Sequence, residues 1–338
     1  MSAPSVPDFS KLHVAVVGDL IADHYLVTEP RSLSREAPVM VLRFTSEHFS
    51  AGGSANVARN LRSLEALTRV HGAVGRDARG REVIELLGHS SIDVLGLESV
   101  PGWSTPTKTR IVAAEPRRSL QQVLRVDREP SEPLPAEVRA RIRQRITSLA
   151  PSTDALIVSD YDYGMVDGEL GACVASLARE GKIVVLDPRG TFEGFDGITA
   201  LTPNVGELAR FTGRDVDALH GERELAQAAN ELLARIRVRY LLVTRGNKGM
   251  ALFGAELPER GVVVEASGSG NVTDVTGAGD TAAAVFALAL AAGCEGPHAM
   301  QLANAASGVV VMEHGTAVCT PDQLRGAFPT APVPVRAP

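Results

Sequence analysis

The sequence is poor in cysteine and lysine and has no long apolar run. Cys173, Cys294 and Cys319 are far apart and odd in number. Neither a disulfide framework nor a cysteine-ligated metal site is therefore expected, and a reducing cytoplasm is the expected compartment. The longest apolar run, 282–292, is too short to span a bilayer. The N-terminus lacks a basic region followed by an apolar core, so no signal peptide is expected. Lysine occurs only at Lys11, Lys108, Lys182 and Lys248, and the formal net charge is −6; this argues against a nucleic-acid or membrane-surface partner. The P-loop pattern GxxxxGK[ST] is absent, which excludes an ATP site of that type. What is present is ordinary for a globular protein. With 44% hydrophobic and 22% charged residues, the 338 residues can build one large α/β domain or two smaller ones.

One stretch organises the rest. A β-branched run (Val272, Thr273, Val275, Thr276) stops at Gly277-Ala278-Gly279, and an Ala/Leu-rich run follows and ends on Gly293. The pattern predicts a strand, a tight glycine turn and a helix. Such a turn leaves backbone N–H groups aimed at one point, with the positive end of the helix dipole behind them, which makes an anion site. Asp280 lies inside it. A carboxylate there makes chemical sense if it takes a proton from a hydroxyl while the amides of Gly277, Ala278 and Gly279 hold charge developing on a transferring phosphoryl group. The plain alternative is that Asp280 only caps the helix, and it stays open at this point. Gly277-x-Gly279-x-x-Ala282 also fits a dinucleotide fingerprint. That fingerprint should open a βαβαβ unit with an acidic residue about 20 positions on; the remaining sequence is too short and Glu295 lies in a polar loop, so we reject it.

The remaining chain alternates. Residues 13–18 read as a buried strand ending at Gly18-Asp19, which puts Asp19 and Asp23 near a strand's C-terminal end, where α/β sheets bind ligands. An Asp after Gly can equally shape the turn. Strands are expected within 25–46, and Gly52-Gly53 opens a helix that carries Asn56 and Asn60 on one face. Those amides either hold sugar hydroxyls or are solvated. Residues 67–74 read as a strand and 79–88 as a helix. Stretches at 105–114 and 121–127 alternate like paired strands, with Lys108 and Arg110 on one face, either solvated or meeting a substrate phosphate. From 135 the rhythm is helix 135–148, strand 155–159, helix 168–180, strand 182–186, a strand at 198–202, helix 222–237 and strand 240–244. This predicts a mainly parallel sheet with helices on both faces. Asn204 and Glu207 fall on one face of a helical first turn after Pro203. Asn204 can cap that helix, and Glu207 can hold Mg²⁺ through water.

Taken in order, Gly52-Gly53-Ser-Ala-Asn56, Asn204-x-x-Glu207 and Asp274-Val-Thr-Gly-Ala-Gly-Asp280 resemble ribokinase-like, phosphofructokinase-B-type sugar kinases over about residues 12–326. Within that family the chain most resembles D-glycero-β-D-manno-heptose 7-phosphate kinases, through Val17–Tyr25, Ser34–Val39, Gln121–Asp127, Ser159–Tyr161 and Ala303–Val311. The resemblance implies a ribokinase-like α/β kinase domain at 12–328 with flexible tails at 1–11 and 329–338. It also implies a small β-sheet lid from about 25–46 and 104–127, which in the family often pairs two subunits. Asp280 would be the general base and the amides of Gly277, Ala278 and Gly279 the anion hole. Asp19, Asp23, Gly52, Gly53, Asn56, Lys108 and Arg110 would serve the sugar. Asn204, Glu207, Thr244, Arg245, Gly246 and Asn304 would serve ATP, with Mg²⁺ at Glu207 and K⁺ at Asp274. The implied reaction is ATP-dependent phosphorylation of O1 of the heptose 7-phosphate, in the supply of an ADP-heptose precursor of lipopolysaccharide. A ribokinase- or fructokinase-like kinase and a non-catalytic sugar-binding regulator are the alternatives. The chain departs from the heptose kinases at His24, where they carry Arg, at Arg35, where they carry Pro, and at Tyr163, where they carry Lys. Arg35, Lys108, Arg110 and Arg189 are the cations available to compensate. Many heptose kinases are fused to a nucleotidyltransferase; here the kinase alone is expected.

Overall fold

The computed structural model describes residues 5–113, 120–268 and 272–328. The chain begins with β1 (His13–Gly18), β2 (Leu20–Leu33), β3 (Met40–Gly53), α1 (Ser54–Ser63), β4 (Leu67–Gly75), α2 (Ala78–His89) and β5 (Asp93–Val100). It continues through β6 (Thr107–Ala113), β7 (Gln121–Arg128), α3 (Ala136–Thr147), β8 (Ala155–Ser159), α4 (Gly168–Arg179), β9 (Ile183–Asp187) and β10 (Ala200–Leu201). The rest is α5 (Val205–Thr212), α6 (Glu222–Arg235), β11 (Tyr240–Thr244), β12 (Met250–Phe253), β13 (Val262–Val264), α7 (Ala278–Ala291), α8 (Gly296–Val310) and α9 (Pro321–Ala327).

The main sheet has nine strands in the order β13-β12-β11-β10-β9-β8-β1-β4-β5. Pairing is parallel from β11 to β5, while β12 pairs antiparallel with both β11 and β13. Central strands carry apolar residues at every position because both faces are covered. In β1, Val14 and Val16 enter one core with α1, α7 and α8, whereas Ala15 and Val17 enter the other with α3, α4 and α6. Ala155 and Ile157 of β8 alternate with Leu156 and Val158 in the same way. Helix α7 is buried from Asp280 to Leu290. Its alanines let α8 and the sheet approach from several sides.

A second sheet, ordered β3-β2-β6-β7, forms the lid. It is longer than the sequence pattern indicates, because β2 begins at Leu20 and β3 runs to Gly53. Only Asp19 separates β1 from β2, and Gly53, the N-cap of α1, lies opposite Leu20. The lid is therefore anchored at both ends beside the C-terminal edge of the main sheet.

Two expectations fail. Residues 272–276 are not a strand. They have no neighbouring strand edge to pair with; Val272 and Val275 are exposed, and Asp274 accepts the N–H groups of Thr276 and Gly315 to form a turn. β-propensity without a partner edge is not enough. The N-terminal segment is not wholly frayed either, because Phe9 is buried in the core. Residues 1–4 and 329–338, expected as tails, lie outside the described residues.

Candidate active site

The carboxyl ends of β1, β8, β9, β10 and β11 meet the N-terminus of α7 at one edge. There Asp160, Tyr161, Asp187, Arg189, Thr202, Asn204, Glu207, Thr244, Gly277, Gly279 and Asp280 line a single cleft. Gly277 is the N-cap of α7 in a left-handed conformation (φ 80°), so Asp280 is the third residue of the helix rather than its cap. The capping alternative therefore fails for Asp280. Among the described residues, no acceptor meets the N–H groups of Gly277, Gly279 or Asp280, whereas the Ala278 N–H lies 3.3 Å from the Val275 carbonyl. Two of the expected Gly277–Gly279 trio thus have acceptor-free amides, and the Asp280 N–H takes the place of that of Ala278.

Asp280 is buried, and each carboxylate oxygen has a donor. Asn56 Nδ2 donates to Oδ2 at 2.7 Å and the Tyr161 hydroxyl donates to Oδ1 at 2.7 Å. Desolvation pushes its pKa up to about 6, against these two hydrogen bonds, which favour the ionised form. Asn56 is held in turn: Asn60 Nδ2 donates to its carbonyl and the Thr281 hydroxyl donates to Asn60 Oδ1. Neither asparagine is a solvated amide.

On the lid side, Asp23 forms a buried ion pair with Arg110. Gly52 lies against the Asp23 carboxylate, leaving no room for a Cβ. Lys108 Nζ lies 4.9 Å from the centroid of the Tyr161 ring and Arg189 Cζ 5.9 Å from it. Among the described residues neither cation has a carboxylate within ion-pair distance. Desolvation lowers the Lys108 pKa, and the nearby Arg189 and Arg125 charges act in the same direction. Asp19, expected at the sugar, is spent elsewhere: its oxygens accept the N–H groups of Tyr161, Tyr163 and Met165. Arg35 lies at the exposed tip of the β2–β3 hairpin, and Tyr163 directs its hydroxyl at Glu129.

On the far side, Asn204 and Glu207 form a reciprocal capping box on α5. Only one Glu207 oxygen is used in it. Sequence reasoning did not single out Asp187, which ends β9 in the cleft and accepts from Thr202. Desolvation holds Asp187 well above the usual carboxylate range, with Glu207 and Asp280 adding repulsion, and desolvation also raises Glu207. Its position at a strand's carboxyl end was the available signal. Thr244 lines the cleft; Arg245, Gly246 and Asn304 do not. Asn304, on α8, donates to the Glu265 carbonyl.

A mainly parallel sheet with its strand ends under a β lid, and a carboxylate in the first turn of a buried helix, defines the ribokinase-like α/β class. The pfkB family carbohydrate kinase model matches residues 11–323, and the chain belongs to that family. It is 37% identical to the bifunctional protein HldE of Geobacter metallireducens over 94% of this chain and 63% of that one. It is 38% identical to HldE of Magnetococcus marinus over 95% of this chain and 65% of that one. The chain thus spans less than two thirds of these relatives. Among solved structures it is similar to Arabidopsis thaliana ribokinase complexed with ribose and ATP (TM-score 0.71, 22% identity, 94% of this chain and 99% of that one). It is also similar to Escherichia coli phosphofructokinase-2 in complex with substrates and products (TM-score 0.75, 18% identity, 94% and 98%).

Gly277 is a constrained position at the start of α7. A Cβ there would sit 2.6 Å from Asn56 Nδ2, at a φ that L side chains rarely adopt. Gly277→Ala is expected to cost about 1–2 kcal/mol in urea unfolding from the left-handed backbone alone. It should lower turnover further by pushing Asn56 off Asp280.

Proposed function

We propose that the chain is an ATP-dependent sugar kinase acting on O1 of a heptose 7-phosphate. The observation that carries the reading is the buried Asp280 carboxylate beside the free amides of α7. Asp280 takes the proton of the sugar hydroxyl as that oxygen attacks the γ-phosphate in line, and the N–H groups of Gly277, Gly279 and Asp280 receive the charge that develops. Asp23, Gly52, Gly53 and Asn56 floor the sugar site. Lys108 and Arg189 are the cations placed to meet the substrate's own phosphate, since Arg110 is paired and Arg35 is remote. Asn204, Thr244, Arg245, Gly246 and Asn304 serve the nucleotide.

Glu207 and Asp187 fit a divalent cation. Desolvation raises both carboxyl groups, the Glu207 charge adds to the rise at Asp187, and Glu207 has an oxygen outside its capping bond. Two such groups suit Mg²⁺, which keeps most of its waters and would offset phosphate charge here. Potassium attaches to the reading only through Asp274, whose carboxylate joins the 272–276 turn to Gly315. A cytoplasmic, homodimeric enzyme completes the proposal. Its support is apolar exposure on the lid's edge strands, at Met40 and Phe44 of β3 and at Leu124 and Val126 of β7. No helix among the described residues is long and apolar enough to cross a membrane. Tyr163 in place of the family lysine favours a second reading, a kinase of unphosphorylated sugars.

An ADP-release screen over heptose 7-phosphate, ribose, fructose and fructose phosphates separates these readings. Turnover with heptose 7-phosphate is expected; turnover with unphosphorylated sugars alone keeps the kinase and removes the heptose. ADP release with none of them favours a non-catalytic sugar-binding regulator or a substrate outside the screen. Asp280→Asn should lower kcat by roughly 10²–10⁴ with the fold intact. In the wild type, kcat/KM should rise with pH through about 6, because the raised pKa keeps the base protonated below that point. For the lid, light scattering should show a dimer that Phe44→Asp with Leu124→Asp converts to monomer; a monomeric wild type would remove the pairing.

A further inference from the structure

Two buried carboxylates beside Tyr161, Asp19 and the cleft-lining Asp160, are engaged by backbone N–H groups. Asp19 directs Oδ2 at the N–H groups of Tyr161 (2.9 Å) and Tyr163 (3.1 Å), and Oδ1 at that of Met165 (3.1 Å). Asp160 accepts the Asp162 N–H on Oδ1 and the N–H groups of Arg189 and Gly190 on Oδ2. Both sets of bonds fix one short loop. The side chain that this loop delivers to the cleft is Tyr161, and its hydroxyl lies 2.7 Å from Asp280 Oδ1.

We propose that Tyr161 is a positioning residue for the Asp280 carboxylate, and that Asp19 acts at one remove by holding the Tyr161 loop. The proposal rests on the kinase reading of Asp280. A base in a solvent-poor pocket must be ionised, must point one lone pair at its substrate and must not rotate. Asn56 fixes Oδ2 from α1, and Tyr161 fixes Oδ1 from the loop after β8. The phenol is the donor in this pair. Desolvation and the neighbouring carboxylates hold its own pKa well above its usual value, so it keeps its proton. Donation to the carboxylate favours the charged form of Asp280 and opposes the desolvation that raises its pKa. Oδ1 accepts one bond from Tyr161 and keeps a second lone-pair direction for the sugar hydroxyl. The charged groups around Asp280 are Asp23 on β2, Lys108 on β6 and Asp187 at the end of β9; Arg189 lies across the Tyr161 ring.

Tyr161→Phe removes one oxygen and keeps the ring between Lys108 and Arg189. Loss of a hydrogen bond to a charged acceptor should lower kcat roughly 10–100-fold at neutral pH, with KM for ATP changed by less than about twofold. The acid limb of kcat/KM should move to higher pH. The Asp280 carboxyl titration, followed by ¹³C NMR of labelled aspartate, should move the same way. Asp19→Asn, which keeps the size but weakens the N–H clamp, should move both in that direction by less. A Tyr161→Phe protein with wild-type kcat and an unmoved Asp280 titration would overturn the proposal. The NMR readout needs no substrate. If the wild type phosphorylates no sugar, the kinase reading fails, while the titration still decides the role of Tyr161.

Discussion

The site depends on keeping a charged carboxylate in a place that water hardly reaches. Asp280 stands in the first turn of a helix buried along most of its length, and two donors from separate parts of the chain share the cost of its ionisation. One donor comes from the helix that follows the lid and the other from the loop after β8. The carboxylate can be both buried and ionised only when lid, sheet and C-terminal helix pair are assembled. Folding and construction of the Asp280 site are therefore one event.

The arrangement also explains why so many polar groups here are already engaged without a ligand. Asn204 and Glu207 cap each other, Asp23 is paired with Arg110, and Asp19 and Asp160 are saturated by backbone donors. What is left over is chemically informative. Among the described residues the first amides of α7 have no acceptor, Lys108 and Arg189 have no carboxylate at ion-pair distance, and Asp187 is desolvated; a nucleotide triphosphate with its cation would supply partners for them.

Much of this was legible in the sequence, because the parallel strands are short apolar runs that end in polar clusters and their collection at one edge follows from helix–strand alternation. The glycine turn before Asp280 was legible for a similar reason, since only a residue tolerating φ 80° can open the helix there. The missed features depend on long-range pairing. β12 and β13 are four and three residues long, too short for a periodicity to show. The run at 272–276 has strand composition but lies where no edge is available to it. Tyr161 and Asp19 were visible as residues, but a hydrogen bond across 119 positions, or backbone donors 142 positions away, leaves no local trace.

The single residue between β1 and β2 has a mechanical consequence. Asp19 is the whole joint between β1 of the central sheet and β2 of the lid, and the same residue grips the loop that carries Tyr161. A joint of one residue has no slack. A movement of β2 against β1 would be taken up at the Asp19 backbone, beside the loop that carries Tyr161 to Asp280. Occupancy under the lid would then reach the Asp280 carboxylate through covalent geometry, with no separate messenger needed.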